Sequence, residues 1–477
     1  MNYRMIRHIL GWLLLFEAGF MTVPLVTGIV YGEAALWSFL ISMLICAAAG
    51  GLCILTKPKD SSLYAREGFV IVSLSWIALS LFGAIPFCIS GTIPNYLDAV
   101  FETVSGFTTT GASILSEVES LPRCMLMWRS FTHWVGGMGV LVFIMAFVPL
   151  SGGQNMHIMK AESPGPSVSK LVPRVKTTAM ILYSIYIVMS LVMFVMLLFG
   201  SLTPFEALNI TFSTAGTGGF GIYNDSLASF SPYVHVVVTV FMLLFSVNFT
   251  CYYCLLLGRI KDAFSSEVSR FLIIVGAVIL AVTLDIRGMF DSVWDALRHG
   301  ALTVASLIST TGFATENYNN WPELSRTLLV LIMFIGACAG STGGGLKISR
   351  LMILSRGAFN EIGRMIYPNR IRRTAIDGHP VEPDVVKATN VYISWYFLIF
   401  AGSVVLVSLD DYDLITNLTA VAATLNNVGP GLGSVGPTGN FSHFSIVSKL
   451  VFMFDMLAGR LELFPMLVLF TPATWKK

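Results

Sequence analysis

Apolar runs long enough to cross a membrane recur along the whole chain, and they constrain its fold more than any other feature. A helix needs about 20 apolar residues to cross a bilayer. Only 12% of the 477 residues are charged, against about 25% in soluble domains, so the chain cannot cover a large globule with charge. We therefore predict an all-α polytopic membrane protein with spans at residues 9–31, 35–55, 69–90, 130–150, 178–199, 233–257, 271–284, 325–346, 391–409 and 448–470.

Lysine and arginine cluster in alternate polar segments, whereas the segments between them are mostly acidic. Basic loops stay in the cytoplasm, so both termini are predicted to be cytoplasmic and the acidic outer face to attract cations. The net charge of +2 excludes a strongly basic surface that binds nucleic acid. The basic positions are Arg4, Arg7, Lys57, Lys59, Arg66, Lys160, Lys170, Arg174, Lys176, Arg259, Lys261, Arg270, and a run that includes Lys347, Arg350, Arg356, Arg364, Arg370, Arg372, Arg373 and Lys387.

Four shorter apolar segments lie in the acidic parts of the chain, at 96–107, 204–214, 294–308 and 414–425. Segments of this length are too short to span a bilayer and fit re-entrant helices. Each ends in a polar turn that contains glycine, and aligning the turns on Gly111, Gly218, Gly312 and Gly429 reveals internal repeats.

The repeats predict two extra N-terminal helices followed by four helix/pore-loop/helix units with pseudo-fourfold symmetry around one pore. We assign 1–67 to the N-terminal helices, 68–155 to repeat 1, 156–262 to repeat 2, 263–356 to repeat 3 with a Gly-rich broken second helix, 357–384 to a basic cytoplasmic linker and 385–477 to repeat 4.

The four glycine turns have the chemistry of a filter for a monovalent cation. Backbone carbonyls can replace the hydration shell of a cation, and glycine allows successive carbonyls to point the same way. The turns contain no carboxylates, which a divalent cation would favour. Tight turns between packed helices are the alternative, but four turns in register favour a filter. The candidate residues are Thr109, Thr110, Gly111, Thr217, Gly218, Gly219, Thr310, Thr311, Gly312, Asn427, Val428 and Gly429.

The short helices that precede the turns add an electrostatic effect. If each enters from the acidic face, its C-terminal end presents partial negative charge to the membrane centre. The acidic residues near the helix starts suit the opposite, positive ends, and they are Asp98, Glu206, Asp295 and Asp413.

Several motifs resemble the pore-forming subunits of the Trk/Ktr/HKT superfamily of potassium transporters. They are SGFTTTGAS at 105–113, WRS at 128–130, WVGGMG at 134–139, STTGF at 309–313, GSTGGGLK at 340–347 and NNVGPG at 426–431. The two extra N-terminal helices make the bacterial TrkH branch the most similar. The resemblance implies a single selectivity filter, potassium as the transported and bound ion, and a bacterial cytoplasmic (inner) membrane. The turn at 215–219 is a looser match, which leaves its register open by one residue.

The run 334–346 contains five glycines, and each costs about 1 kcal/mol inside a helix. Packing of an unbroken helix through Gly336 and Gly340 is one explanation. The resemblance implies another, an intramembrane loop that gates the path below the filter. The candidate gate residues are Gly340, Gly343, Gly344, Gly345, Lys347 and Arg460.

Arg460 lies in the last apolar run, where a charge costs at least about 2.5–3.5 kcal/mol. It could pair with Asp455 or Glu462 as a structural ion pair. The resemblance implies instead a positive barrier beside the gating loop.

We predict gated potassium uptake, with a secondary transporter that couples potassium to sodium or protons as the alternative. The resemblance also implies a homodimer and a cytosolic, nucleotide-binding regulatory ring, whereas contact with anionic membrane lipid would equally explain the basic linker. We expect no cofactor. The absence of HExxH and GxSxG motifs argues against an enzyme.

Overall fold

The computed structural model describes residues 1–55, 64–139, 175–367, 374–377 and 379–476, and this part of the chain is predominantly helical. A two-stranded antiparallel ribbon, Ala375–Ile376 with His379–Pro380, lies in the basic linker. The helices are Tyr3–Phe20, Thr22–Tyr31, Leu36–Ile54, Ala65–Gly83, Ile85–Ser90, Tyr96–Phe107, Arg123–Gly137, Val175–Phe199, Pro204–Ala215, Pro232–Phe245, Phe249–Leu256, Ile260–Ala263, Ser266–Ile286, Val293–Ile308, Glu323–Phe334, Ile348–Ile366, Pro383–Val407, Leu414–Leu425, Ile446–Arg460, Phe464–Phe470 and Pro472–Trp475.

Within the described ranges, six helical segments are long and apolar enough to cross a membrane, which confirms the prediction of an all-α membrane protein. They are Tyr3–Tyr31, Leu36–Ile54, Ala65–Ser90, Thr177–Phe199, Ser266–Met289 and Pro383–Asp410.

Three further predicted spans are wrong as continuous helices, because each is interrupted near its middle. The span at 233–257 bends by 90° between Pro232–Phe245 and Phe249–Leu256. The span at 325–346 ends at Phe334, and 448–470 breaks after Arg460. At this last break Glu462 and Leu463 have φ of 56° and 64°, which a helix cannot continue through.

The span predicted at 130–150 is described only as far as residue 139, and its helix, Arg123–Gly137, begins earlier than predicted. Several basic positions used to orient the chain lie outside the described residues: Lys57, Lys59, Lys160, Lys170, Arg174, Arg370, Arg372 and Arg373.

The four short apolar segments form the helices that the sequence predicts. We call Tyr96–Phe107, Pro204–Ala215, Val293–Ile308 and Leu414–Leu425 short helices 1 to 4. Each begins with a side chain that accepts a hydrogen bond from a backbone N–H of the first turn, which satisfies a donor that the helix itself leaves unpaired. These capping residues are Asn95, Thr203, Ser292 and Asp413.

Asp413→Ala is expected to lower the free energy of unfolding by about 1 kcal/mol at neutral pH, because it removes the cap of short helix 4. Asp413 accepts hydrogen bonds from the hydroxyl and backbone N–H of Thr416. The hydroxyl bond lowers the pKa of Asp413. The carboxylate's contribution is therefore present above the ordinary carboxyl pKa and is lost as pH falls through the lowered value.

Chemical unfolding in detergent micelles at pH 7 and at pH 3 would measure this effect. Asp291→Ala, at an exposed aspartate, is the control and should change the free energy little at either pH. An Asp413→Ala loss of the same size at both pH values would contradict the carboxylate's role.

Four further helices follow the glycine turns along the chain. We call Arg123–Gly137, Pro232–Phe245, Glu323–Phe334 and Ile446–Arg460 second helices 1 to 4. Short helix 1 packs against second helix 1, and short helix 4 packs against second helix 4. The ends of the short helices and of the second helices therefore surround the glycine turns.

Candidate functional site

Each short helix ends in the same hydrogen-bonded turn, a Schellman motif. In repeat 1, Thr109 N–H donates to Gly106 O at 3.1 Å and Thr110 N–H donates to Ser105 O at 2.9 Å. The motif requires a left-handed residue, usually glycine, just past the helix. The equivalent pairs in the other turns are Thr217 to Thr214 and Gly218 to Ser213, Thr310 to Leu307 and Thr311 to Ser306, and Asn427 to Thr424 and Val428 to Ala423.

The left-handed position holds threonine in three turns and asparagine in the fourth. Thr109, Thr217, Thr310 and Asn427 have φ of 56°, 55°, 61° and 55°. A β-branched residue rarely adopts this conformation. Strained backbone of this kind persists where the surrounding structure holds it, and such positions cluster at functional sites. The sequence did not reveal this strain, because threonine is common in ordinary turns.

A glycine with positive φ follows two residues later in every turn. The φ values are 79° at Gly111, 77° at Gly219, 85° at Gly312 and 95° at Gly429. The alignment of Gly218 with Gly111 is therefore wrong by one residue. The reason is that Thr217, which matches Thr109 in φ and in hydrogen bonding, fixes the register. Thr217, Gly218 and Gly219 thus correspond to Thr109, Thr110 and Gly111.

The four turns contact one another in a closed cycle. The Cα of each of these glycines faces a backbone carbonyl of the next repeat, so close that a Cβ there would collide with the carbonyl oxygen. The carbonyl always belongs to the residue that precedes the partner's glycine. The pairs are Gly111 with Gly218, Gly219 with Thr311, Gly312 with Val428, and Gly429 with Thr110.

All four of these glycines also line one cavity. Besides Gly111, Gly219, Gly312 and Gly429, its wall includes Arg129 and residues of the segments that follow the turns. The candidate filter residues therefore converge on one place, and each repeat contributes equivalent backbone to it.

Asn427 differs from the threonines in the other turns and forms a side-chain link between repeats 4 and 1. Its Nδ2 donates to Thr110 Oγ1 at 3.0 Å and to Met456 O at 2.9 Å. Tyr396 OH donates to Asn426 Oδ1 at 2.9 Å. The fourth turn is thus held by side-chain amides, and Asn427 takes the position that threonine has in the other three turns.

His133 of second helix 1 joins the turns of repeats 1 and 2. Its ring is buried, with Nδ1 2.7 Å from Gly106 O and Nε2 3.3 Å from Phe220 N. Because a backbone N–H only donates and a carbonyl only accepts, we assign the proton to Nδ1. The sequence analysis missed this residue, since a single histidine has no ligand spacing.

Glu102 and Arg129 form a buried ion pair beside the same two turns, with Nε 2.8 Å from Oε1 and side chains 0% and 2% exposed. Glu102 also accepts hydrogen bonds from Ser113 Oγ and Ile114 N. Arg129 lies over the ring of Phe220, with its Cζ 4.1 Å from the ring centroid. The pair therefore holds the segments that follow the first and second turns. Arg129 lies in the motif WRS, but its partner is 27 residues away.

The Gly-rich loop, residues 335–347, is not helical and lies directly against the third and fourth turns. Gly344 N–H donates to Thr310 Oγ1 at 2.7 Å. A Cβ at Gly343 would lie 2.9 Å from Ser309 O, and one at Gly344 would lie 3.2 Å from Asn427 Oδ1. Helix packing through Gly336 and Gly340 is therefore wrong, because neither residue lies in a helix.

The loop is also bonded to the bend in repeat 2. Cys338 N–H donates to Ser246 O at 3.1 Å, and Phe249 N–H donates to Gly340 O at 3.0 Å. Gly340 has φ of 70° and faces the side chain of Asn248. The bend in one repeat thus provides the surface on which the loop of the next one lies.

Charged side chains fix both ends of the loop. Lys347 is 2% exposed, and its ammonium donates to Gly343 O and, at 3.3 Å, to Gly344 O. Glu267 Oε1 accepts hydrogen bonds from Ala339 N at 2.8 Å and from Ser349 N at 3.1 Å. Glu267 was not among the predicted gate residues.

Arg460 ends second helix 4 and contacts both the first turn and the loop. Its Nη1 lies 2.8 Å from Thr342 O and 3.4 Å from Thr109 Oγ1. Of the two acids considered as its partners, Asp455 accepts a hydrogen bond from Ser403, and Glu462 pairs with Arg350. The structure therefore brings Arg460 together with the loop and the turns.

Four repeated turns that contact one another in a closed cycle inside a helical membrane protein indicate a membrane transporter rather than an enzyme. Comparison with known proteins agrees. A family model described as "TrkH: Cation transport protein" matches residues 35–477. The chain belongs to this TrkH family of cation transport proteins.

Individual relatives match over nearly the whole chain. The Trk system potassium uptake protein TrkH of Salmonella typhimurium is 34% identical and is covered completely, as is this chain. The Trk system potassium uptake protein TrkG of Escherichia coli is 31% identical over 100% of this chain and 99% of its own length. The crystal structure of the potassium transporter TrkH from Vibrio parahaemolyticus matches with a TM-score of 0.90, 31% identity and complete coverage of both chains.

Proposed function

We propose that this chain takes up potassium across the bacterial cytoplasmic membrane through a selectivity filter built from its four glycine turns. The closed cycle of glycines and carbonyls carries this proposal. Carbonyl oxygens at four equivalent positions around one cavity can replace the hydration shell of a monovalent cation. The relatives TrkH and TrkG are named as potassium uptake proteins, which supports potassium as the ion.

The proposed pore has pseudo-fourfold symmetry and comprises the repeats 68–155, 156–262, 263–356 and 385–477. Residues 1–67 form the two additional helices, and 357–384 form a basic cytoplasmic linker. Both termini are cytoplasmic in this arrangement, which the basic residues of the linker and of the N-terminus support.

The Gly-rich loop and Arg460 form the proposed gate, and their contacts support a closed state. The loop lies against Thr310 and Asn427, while Arg460 bridges Thr109 and Thr342. A cation that leaves the filter meets the positive guanidinium of Arg460 and the backbone of the Gly-rich loop. Opening requires that both move aside.

The proposed partners are a second copy of this chain and a cytosolic, nucleotide-binding regulatory ring. The helix Ile348–Ile366, which leaves the loop directly, is the proposed point of contact because it is basic and its last turn is exposed. Anionic membrane lipid is a further partner of the same basic surface.

Uptake of rubidium-86 into liposomes that contain the purified protein and trapped potassium tests the proposal. Potassium outside should compete strongly and sodium weakly. Uptake that depends on sodium or on a proton gradient would favour the secondary transporter instead. If uptake is absent, adding the regulatory ring distinguishes a closed gate from a wrong assignment.

Arg460→Ala is expected to raise basal rubidium uptake about tenfold, equivalent to about 1.4 kcal/mol of the barrier, because a positive charge is removed from the path. Arg364→Ala removes the same charge from a side chain that is 69% exposed and should leave uptake unchanged. An equal rise in both variants would mean that net charge, rather than the position of Arg460, controls the flux.

A further inference from the structure

The guanidinium of Arg460 occupies a cradle of oxygens immediately inside the filter. Nη2 lies 2.5 Å from Gly136 O and 2.6 Å from Gly137 O, while Nη1 lies 2.8 Å from Thr342 O and 3.4 Å from Thr109 Oγ1. We call these four oxygens the inner cradle. Three of them are backbone carbonyls, which is the ligand type that the filter itself presents.

The cradle oxygens come from three separate parts of the structure: the end of second helix 1, the Gly-rich loop and the first turn. Gly136 and Gly137 are the last residues of second helix 1, so their carbonyls lie at its C-terminal end. Carbonyls at the C-terminal end of a helix carry the negative end of its dipole, and Gly136 O also accepts a hydrogen bond from Gly139 N–H at 3.1 Å. Thr342 belongs to the Gly-rich loop, and Thr109 is the strained residue of the first turn.

Glycine is required at the two helix positions for the cradle to form. A Cβ at Gly136 would overlap the backbone of Phe107, and one at Gly137 would lie 2.7 Å from the Cα of Gly216. The close approach therefore brings the end of second helix 1 against the first and second turns. This packing fixes two of the carbonyls independently of Arg460.

We propose that the inner cradle is a cation-binding site of the transport path, and that Arg460 occupies it as a tethered cation in the closed state. This inference rests on the proposed function. When the guanidinium withdraws, the buried oxygens of the cradle lose their charged donor, which is unfavourable. A potassium ion that leaves the filter carries the same charge and can bind the same oxygens.

The composition of the cradle favours a monovalent cation. No carboxylate belongs to it, whereas divalent cations prefer carboxylate ligands. The nearest acid along the chain, Glu462, pairs instead with Arg350. Because Thr342 supplies one ligand, movement of the loop removes an oxygen from the site. Opening the gate therefore also weakens the binding of the ion and releases it toward the cytoplasm.

Anomalous X-ray diffraction with thallium(I), a potassium substitute, tests this proposal on the full-length protein. In Arg460→Gln we expect an anomalous peak within ligand distance of the carbonyls of Gly136, Gly137 and Thr342. The wild type and Arg460→Lys, which both keep a cation on the side chain, should show no peak there. Arg460→Met, a second neutral variant of similar length, is used if Arg460→Gln does not fold.

The filter serves as a reference in the same crystals. Peaks at Gly111, Gly219, Gly312 and Gly429 without a cradle peak in the neutral variants would overturn the inference and leave the proposed function intact. Absence of thallium from the filter as well would overturn both. A cradle peak of equal strength in the wild type would show that Arg460 does not occupy the site, and would also overturn the inference.

Discussion

Gly111→Ser is expected to lower the preference for potassium over sodium about 100-fold, equivalent to about 2.8 kcal/mol of differential binding. Gly111 has φ of 79°, and its Cα faces the carbonyl of Gly218. A side chain in the left-handed region costs about 1–2 kcal/mol, and the added Cβ would displace that carbonyl from the ring. The ring would then lose the spacing that suits potassium.

Competition of potassium and sodium against rubidium-86 uptake would measure this change. Gly402→Ser is a matched control, because Gly402 lies in the helix Pro383–Val407 and a Cβ there meets no atom within 4 Å. That variant should keep the wild-type preference. An unchanged preference in Gly111→Ser would contradict the ring as the selective element.

Arg129→Met is expected to lower the free energy of unfolding by about 3–5 kcal/mol, because it leaves the carboxylate of Glu102 buried without its cation. The same change releases Gly221 O, which accepts a hydrogen bond from Arg129 Nη1 at 3.3 Å. The segment that follows the second turn should therefore also loosen.

Arg326→Met provides the control, because Arg326 and Glu323 form a pair of similar length, 2.7 Å, in which Glu323 is 81% exposed. An exposed pair contributes about 0–1 kcal/mol. Chemical unfolding in detergent micelles compares the two variants. The double variant Glu102→Gln/Arg129→Met should recover part of the loss, since it removes the uncompensated charge. Equal losses in Arg129→Met and Arg326→Met would contradict the role of burial.

The sequence predicted the short helices closely because their signals are local. The segments 96–107 and 414–425 coincide with helices Tyr96–Phe107 and Leu414–Leu425. Each has a capping side chain at its start and a glycine-containing turn at its end. These signals act within one helical turn and can be read without knowledge of the fold.

The broken second helices were harder to predict, because apolar composition alone does not distinguish a continuous span from two shorter helices. Only the break at the loop 335–347 could be recognised from the sequence, because that segment is rich in glycine. The bend at Ser246–Asn248 contains no glycine or proline, and it is stabilised by contacts with the loop of the next repeat. The roles of His133 and Glu102 also depend on residues from other parts of the chain, which spacing does not reveal.

The alignment of the second turn with the others could be determined from backbone geometry but not from the amino-acid sequence. Gly216, Gly218 and Gly219 offer several alignments with Gly111. Within the second turn, Thr217 is the residue that has the left-handed φ and the hydrogen bonds of Thr109. A turn motif, rather than a residue type, therefore defines the repeat.

The cyclic order of the glycine contacts has a consequence for the biogenesis of the protein. The contact between repeats 4 and 1 joins positions far apart in the chain: Asn427 and Thr110, which share a hydrogen bond, are 317 residues apart. Ribosomes synthesise repeat 4 last, so three turns are in the membrane before the fourth exists. Closing a loop of this length is entropically costly and slow. The ring is therefore expected to be completed only once repeat 4 has been synthesised and inserted.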